Sequence, residues 1–119
     1  MNVNNSINYV EFPARDIEAT KTFFTTVFEW SFTDYGSEYT SFKNQGINGG
    51  FYKSDNTSST ATGGALLVLY SDTLEDVQER VKGAGGSILK PIFSFPGGRR
   101  FHFAEPSGNE LAVWSDVEA

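Results

Sequence analysis

The stretch FHFAEPSGNELAVWS, residues 101–115, predicts a β-hairpin with two unlike faces. Pro-Ser-Gly-Asn, residues 106–109, supplies turn-forming residues between two runs that alternate with a period of two. One face is apolar and carries Phe101, Phe103, Leu111 and Val113. The other face is mixed and carries His102, the only histidine of the chain, with Glu110, Ala112 and Trp114. The side chains that lie against the face of the histidine must therefore come from other segments of the chain.

Length, composition and charge limit the classes of protein to consider. With 119 residues, 39% of them hydrophobic and 20% charged, the chain is expected to form a single domain over residues 1–119. A formal charge of −6 argues against a nucleic-acid partner, because neutralising phosphates requires a basic surface. No apolar run is long enough for a membrane helix, and the polar start MNVNNSINYV does not resemble a signal peptide. We therefore expect a cytoplasmic protein with no membrane partner, and the absence of cysteine excludes thiolate chemistry.

The sequence predicts the same order of elements twice, and the hairpin completes the second copy. In the first half the pattern predicts a strand over 7–12, a helix capped by Asp16 that ends near Glu29, a short strand over 30–33, and strands over 39–43 and 49–53. In the second half it predicts a strand over 65–70, a helix opened by Thr73 that ends at glycines 83–86, a strand over 87–90, a loop over 92–98, and then the hairpin. A shift of 57 residues places Asp16-Ile17 on Thr73-Leu74 and the strand over 30–33 on the strand over 87–90, which indicates an internal repeat.

A polar segment divides the two halves. SDNTSSTATGG, residues 54–64, has the composition of a flexible connector. It separates a first module of about residues 1–55 from a second module of about residues 65–119.

Three segments, in order and at matching spacing, resemble the glyoxalase, bleomycin-resistance and ring-cleaving dioxygenase superfamily, which has the vicinal oxygen chelate fold. They are INYVEFPARDIEATKTFFTTVFEW (7–30), the Thr73 helix ending in GAGGSIL (83–89), and FAEPSGNELAVWS (103–115). In the last segment Glu105 stands at the aspartate position of the family's Asp-Pro-x-Gly-Asn turn. The resemblance implies an α+β fold in which two βαβββ modules form a curved mixed sheet with helices outside and a concave cup. It also implies a homodimer whose cups are completed across the interface.

The same resemblance implies a divalent metal at the floor of the cup, held by His, Glu or Gln side chains. Carried over one by one, the family's ligand positions fall on Tyr9, Gly50, Ala112 and Leu66, or on Ala65 in place of Leu66 if the register shifts by one. Leu, Ala and Gly have no side-chain lone pair, so we expect no metal cofactor of this kind. A displaced site that uses Glu11 and His102 stays an alternative, although two ligands seldom make a tight site.

Alternation, combined with the geometry that the resemblance implies, points several polar and aromatic residues into the cup. The candidate ligand-binding residues are Tyr9, Tyr39, Tyr52, Arg100 and Trp114. The candidate catalytic residues are Glu11 and His102, because a carboxylate and an imidazole can transfer protons at neutral pH. Each has a structural alternative: His102 can be an idle strand histidine, Glu11 can pair with Arg100 or Lys43, Arg100 can be a solvated loop-edge residue, and the aromatic residues can be core.

The function expected from these observations is binding of a small organic ligand in an aromatic cup, without a metal. The alternative is an enzyme related to lactoylglutathione lyase or to the dioxygenases, using a displaced metal site or acid–base chemistry by Glu11 and His102. Arg100 is the residue expected to bind a carboxylate or phosphate group of the ligand, with Arg99 pointing outward.

Overall fold

A computed structural model describes residues 2–118 and confirms the α+β architecture of two βαβββ modules. The first module consists of β1 (Tyr9–Ala14), α1 (Ile17–Phe28), β2 (Phe32–Asp34), β3 (Tyr39–Phe42) and β4 (Asn48–Lys53). The second consists of β5 (Leu67–Tyr70), α2 (Leu74–Gly83), β6 (Ser87–Phe95), β7 (Gly98–Ala104) and β8 (Glu110–Ser115), after a short 3-10 helix at Thr60–Thr62. Across residues 2–118, no helix is both long enough and apolar enough to cross a membrane.

Each module forms its own four-stranded mixed sheet. The strand order is β1-β4-β3-β2 in the first sheet and β5-β8-β7-β6 in the second. The outer pairs β1–β4 and β5–β8 are parallel, and the other neighbours are antiparallel. Glu11 on β1 is opposite Gly50, and Val68 on β5 is opposite Ala112. Glu11 and Val68 lie 57 residues apart at equivalent places, which confirms the predicted repeat for this part of the modules.

The two helices begin where the sequence predicts, but only one has a side-chain cap. The Asp16 carboxylate accepts a hydrogen bond from the Ala19 N–H at 3.0 Å, and α1 ends at Phe28 with Glu29 as its C-cap, at a φ of 60°. Thr73 precedes α2 but makes no capping hydrogen bond, since its hydroxyl is bonded to the Ser71 hydroxyl at 3.2 Å. The predicted cap at Thr73 is therefore correct in position and wrong in mechanism.

Helix α1 packs against both sheets. The ring of Phe24 lies 5.5 Å from that of Phe51 on β4, and the ring of Phe23 lies 5.7 Å from that of Phe103 on β7. The apolar face of the hairpin is completely buried in this core, as predicted: Phe101, Phe103, Leu111 and Val113 are each 0% exposed. One helix thus joins the two modules through a shared aromatic core.

Strand β6 is longer than the sequence indicates. We expected it to end at Lys90 and to be followed by a loop over 92–98, but it continues to Phe95 and a two-residue turn joins it to β7. The pairing of β6 with β7 shifts register between Ile88 and Lys90 and again between Lys90 and Phe93. Such bulges break the alternation from which strands are recognised, which explains the error. Pro91 is tolerated because β6 lies at the sheet edge.

The connector between the modules is held in place along its middle. The Ser58 N–H donates to the Asn109 side-chain oxygen at 2.9 Å, and the Ser58 carbonyl oxygen accepts from the Glu110 N–H at 2.8 Å. The Thr60 N–H and hydroxyl both donate to the Glu110 carboxylate, at 2.9 and 2.8 Å. Its composition predicts flexibility, but these bonds fix its central residues against β8.

Candidate functional site

The face of the second sheet that points away from the helices is rich in aromatic and polar side chains. The register places Arg100 opposite Trp114, and His102 opposite Ala112, as the hairpin pattern predicts. It also places Tyr70 opposite Trp114, and Phe93 opposite Arg100. We call this surface the aromatic face; its members are Tyr70, Phe93, Phe95, Arg100, His102, Glu110 and Trp114.

A buried pair of polar side chains lies at one end of the aromatic face. Nδ1 of His102 is 2.9 Å from a carboxylate oxygen of Glu110, and the two residues are only 3% and 4% exposed. Burial by itself raises the pKa of the Glu110 carboxyl, but hydrogen bonds from His102 and Thr60 outweigh it and lower the pKa to about 2. Glu110 is therefore ionised at neutral pH and can only accept, so the His102 Nδ1 carries the hydrogen in this bond.

The other ring nitrogen of His102 is left without a partner. Nε2 is buried and makes no hydrogen bond to any group in residues 2–118. Since Glu110 fixes the proton on Nδ1, Nε2 carries the lone pair in the neutral ring. The ring of Phe93 packs against the imidazole, with centroids 5.9 Å apart. This geometry gives His102 the capacity to accept a hydrogen bond or a proton from a bound molecule.

Arg100 is held by aromatic rings in place of a carboxylate. Its guanidinium carbon lies 5.3 Å from the centroid of Phe93 and 5.4 Å from that of Phe95. Its Nε is buried without a hydrogen-bond partner, and Arg100 forms no ion pair with any carboxylate between residues 2 and 118. Arg99, in contrast, pairs with Glu75 and donates to the Val117 carbonyl oxygen at 3.0 Å.

Trp114 on β8 forms the aromatic part of the face together with two rings, one from β5 and one from β6. Its centroid is 5.2 Å from that of Tyr70 at an interplanar angle of 71°, and 6.4 Å from that of Phe95. The Tyr70 hydroxyl donates to Asp116, and this bond raises the pKa of the phenol. Tyr70 is 52% exposed, so this part of the face is accessible to solvent.

The polar candidates of the first module form a separate network on the first sheet. The Tyr39 hydroxyl donates to the Glu11 carboxylate at 3.0 Å and is hydrogen-bonded to the Tyr9 hydroxyl. Burial raises the pKa of Tyr39, and its bonds to Tyr9 and Glu11 raise it further. Tyr52 is opposite Tyr39 in the register and is 38% exposed. The four residues share one face, as alternation predicts.

The two candidate catalytic residues are not joined to each other. Glu11 lies on the first sheet and His102 on the second, and no hydrogen bond or ion pair links them in the described part of the chain. Glu11 lines an open cleft of about 720 Å³ together with Tyr52 and the connector, and His102 is not part of its lining. Glu11 does not pair with Arg100 or Lys43 either, since its partner is Tyr39.

The residues at the family's metal positions do not fit a divalent metal. A Cβ atom at residue 50 would overlap the Tyr39 hydroxyl, so the phenol occupies the space of a side chain there. Ala112 is completely buried, and Tyr9 is hydrogen-bonded to Tyr39. Between residues 2 and 118, no group of three or more His, Asp or Glu side chains is arranged to hold a metal. We therefore derive no chemical step through a metal.

Two features of the site are not evident from the sequence alone: the pairing of Glu110 with His102 and the contribution of β6. Glu110 was placed on the same face as His102, but their pairing depends on the hairpin register, in which Glu110 is opposite Ala104 and His102 is opposite Ala112. Phe93 and Phe95 were hidden by the bulges in β6. The turn over 106–109 sets this register, so it is the signal from which the pairing of Glu110 with His102 could have been predicted. The alternation gives no such signal for Phe93 and Phe95.

Comparisons with known proteins agree with this architecture. A family model described as the Glyoxalase/Bleomycin resistance protein/Dioxygenase superfamily matches residues 6–113. Among solved structures, a glyoxalase-related enzyme from Fulvimarina pelagi is similar with a TM-score of 0.77 and 18% identity, covering 93% of this chain and 88% of that one. A glyoxalase/bleomycin resistance protein/dioxygenase family enzyme from Burkholderia phytofirmans PsJN has a TM-score of 0.78 and 17% identity, with 92% and 98% covered.

A third similar structure is described as a lactoylglutathione lyase, from Agrobacterium tumefaciens. Its TM-score is 0.70 at 16% identity, with 96% of both chains covered. No curated protein sequence matches the chain significantly. At these identities the similar structures establish the fold alone.

Proposed function

Because the chain belongs to the glyoxalase/bleomycin resistance protein/dioxygenase superfamily, we propose that it binds a small organic ligand on the aromatic face of its second sheet, without a metal. The observation that carries the proposal is the composition of that face. Four aromatic rings from three strands share this face with Arg100 and His102, and small-molecule sites typically combine an aromatic lining with a few placed polar groups. Tyr9, Tyr39 and Tyr52 on the first sheet stay predicted ligand contacts.

A compound library screened by thermal shift tests this proposal. Ligands of the folded protein raise its melting temperature, and we expect an aromatic compound to do so. The variant Trp114→Ala should abolish the shift, while Tyr35→Ala, which removes a 60% exposed ring outside the aromatic face, should leave it unchanged. A hit that binds Trp114→Ala as well as wild type would contradict the assignment of the face. Turnover of a ketoaldehyde–thiol adduct or a catechol that a chelator abolishes would contradict metal-free binding.

A second candidate function is metal-free acid–base catalysis at His102, of the lyase type. The observation that favours it is the bond from His102 Nδ1 to Glu110, because a carboxylate in this position orients an imidazole for proton transfer at Nε2. The geometry supports this chemistry without Glu11. His102→Ala should then abolish turnover in a folded protein, whereas a binding protein should lose only part of its affinity.

We also propose that the protein works as a homodimer in the cytoplasm. Support for the dimer comes from the sheet edges: β1 and β2 flank the first sheet, and β5 and β6 flank the second. The cytoplasmic location stays a prediction from the sequence, which fractionation of cells expressing the tagged protein tests.

A further inference from the structure

Two unpartnered polar atoms lie close together on the aromatic face. Residues 2–118 contain three buried side-chain polar atoms without a hydrogen-bond partner, and two of them are Arg100 Nε and His102 Nε2. Their residues are two apart on β7, so both side chains point to the same side of the sheet. Buried polar groups without partners are rare and costly in folded proteins, so two on one face indicate that something else supplies the partners.

The two atoms require partners of opposite character. Arg100 is always charged and can only donate, so its partner is an acceptor and preferably an anion. His102 has its Nδ1 hydrogen committed to Glu110, so the partner of Nε2 in the neutral ring is a donor. Within residues 2–118 no carboxylate pairs with Arg100, although the chain has 15 acidic residues against 9 basic ones. The neighbouring Arg99 does have a carboxylate partner, Glu75.

The spacing of the two groups sets the size of what fits between them. The Cα atoms of two residues on the same side of a strand are about 6.6 Å apart, so one small planar molecule is large enough to contact both side chains. The ring of Phe93 packs against both Arg100 and His102, so an aromatic plane fits the surface that the two residues share. Both polar atoms are buried, so a ligand that binds them must displace the Phe93 ring.

We propose that Arg100 and His102 form a two-point anchor for a planar ligand with an anionic group at one end and a hydrogen-bond donor at the other. Arg100 binds the anionic group, and His102 Nε2 accepts from the donor. Glu110 acts as a positioning residue, since it holds the imidazole in the accepting tautomer. The inference rests on the proposed ligand-binding function and names the ligand class.

Three probes that differ by one group each test the anchor by isothermal titration calorimetry. The probe 4-hydroxybenzoate has both groups, 4-methoxybenzoate lacks the donor, and methyl 4-hydroxybenzoate lacks the anion. We expect wild type to bind 4-hydroxybenzoate about tenfold or more tightly than either of the others, because each lost hydrogen bond leaves a buried group unpaired.

Variants then assign each end of the probe to a residue. Arg100→Gln should remove the preference for 4-hydroxybenzoate over its methyl ester, and His102→Asn should remove the preference over 4-methoxybenzoate. Asparagine keeps an N–H that can reach Glu110 but has no counterpart of Nε2. Arg80→Gln on α2 removes the same charge from an exposed position and should change neither preference. A purely structural role for either residue would weaken all three probes equally.

The outcomes distinguish this inference from the proposed function. Equal binding of the three probes to wild type would overturn the anchor and leave the ligand-binding function standing. Binding of none of them would also overturn the anchor, and the function would then be judged by the compound library and Trp114→Ala. Should a variant fail to fold, the order of the three affinities in wild type still decides.

Discussion

The carboxylate of Glu110 has two structural tasks at once. One oxygen accepts from His102 and the other from Thr60, so the same side chain orients the imidazole and fixes the connector. The hydrogen bonds in both places favour the ionised form. A single residue thereby couples the state of the aromatic face to the segment that joins the two modules.

We expect Glu110→Gln to cost about 3 kcal/mol of unfolding free energy at pH 7, because the pKa of Glu110 is lowered from 4.5 to about 2. Because the pKa of Glu110 is lower in the folded than in the unfolded state, its contribution to the free energy of unfolding is complete above the unfolded-state pKa. This contribution is lost as the pH falls through the folded-state pKa. The difference between wild type and variant should therefore shrink from about pH 5 to pH 2 in urea unfolding series. A constant difference over this range would contradict the assignment, and Glu38→Gln, at an exposed carboxylate, serves as the control.

Gly50 is a second residue whose environment decides its identity. A Cβ there would overlap the Tyr39 hydroxyl and lie 2.8 Å from the Thr40 carbonyl oxygen, so Gly50→Ala should cost about 1–3 kcal/mol of unfolding free energy. Gly83→Ala is the matched control, because no atom lies within 4 Å of the added carbon and alanine favours the helix. Denaturant midpoints at constant slope measure both. Equal stability of the two variants would mean that Tyr39 moves aside freely.

Among the secondary structure elements, the two helices differ in how they begin. The Asp16 side chain caps α1, whereas the Thr73 side chain does not cap α2. We expect Asp16→Ala to lower the unfolding free energy by about 1 kcal/mol and Thr73→Ala to lower it by less than about half of that. Thermal or chemical unfolding of the two variants checks the difference. Losses of equal size would show that Thr73 contributes in a way that its hydrogen bonds do not reveal.

How far each element could be predicted depended on its local signals. The hairpin over 101–115 was predicted with its faces, because regular alternation and the Pro-Ser-Gly-Asn turn agree. The start of α1 was predicted correctly as well, because Asp16 is a typical N-cap residue. The second part of β6 was missed, because two bulges and Pro91 remove the period on which strand recognition depends. The regular elements could therefore be predicted from the sequence, whereas the bulged part of β6 could not.

For the candidate site, the sequence predicts only which side chains share one face of a strand, because this follows from alternation. Arg100, His102 and Trp114 were placed correctly on one face. The pairing of His102 with Glu110 and the enclosure of Arg100 by Phe93 and Phe95 depend on register across strands. A joint role for Glu11 and His102 stays a prediction, because the two residues lie on sheets that share no strand pair within the described residues and strand parity does not relate them.

For the whole molecule, we expect a homodimer that uses the edge of β5. Val68 and Tyr70 on this strand are 43% and 52% exposed, and an apolar cleft of about 410 Å³ lined by residues that include Trp30 and Leu66 lies beside it. Light scattering coupled to gel filtration should give about twice the chain mass of 13.1 kDa. Val68→Lys should yield the monomer, and Val3→Lys, at a 62% exposed position, should not. A mass of one chain at every concentration would exclude the dimer.

Because α1 packs against both sheets, a cut between the two modules would divide the core. Phe24 belongs to the core of the first module, but its neighbour Phe23 packs against Phe103 of the second, so neither half contains a complete core of its own. A break in the connector would separate two polypeptides that each expose an unmatched aromatic surface. We expect these halves to be unstructured alone and to regain the native circular dichroism spectrum when mixed. The fold is thus suited to fragment complementation, with the two phenylalanines of one helix acting as the recognition element.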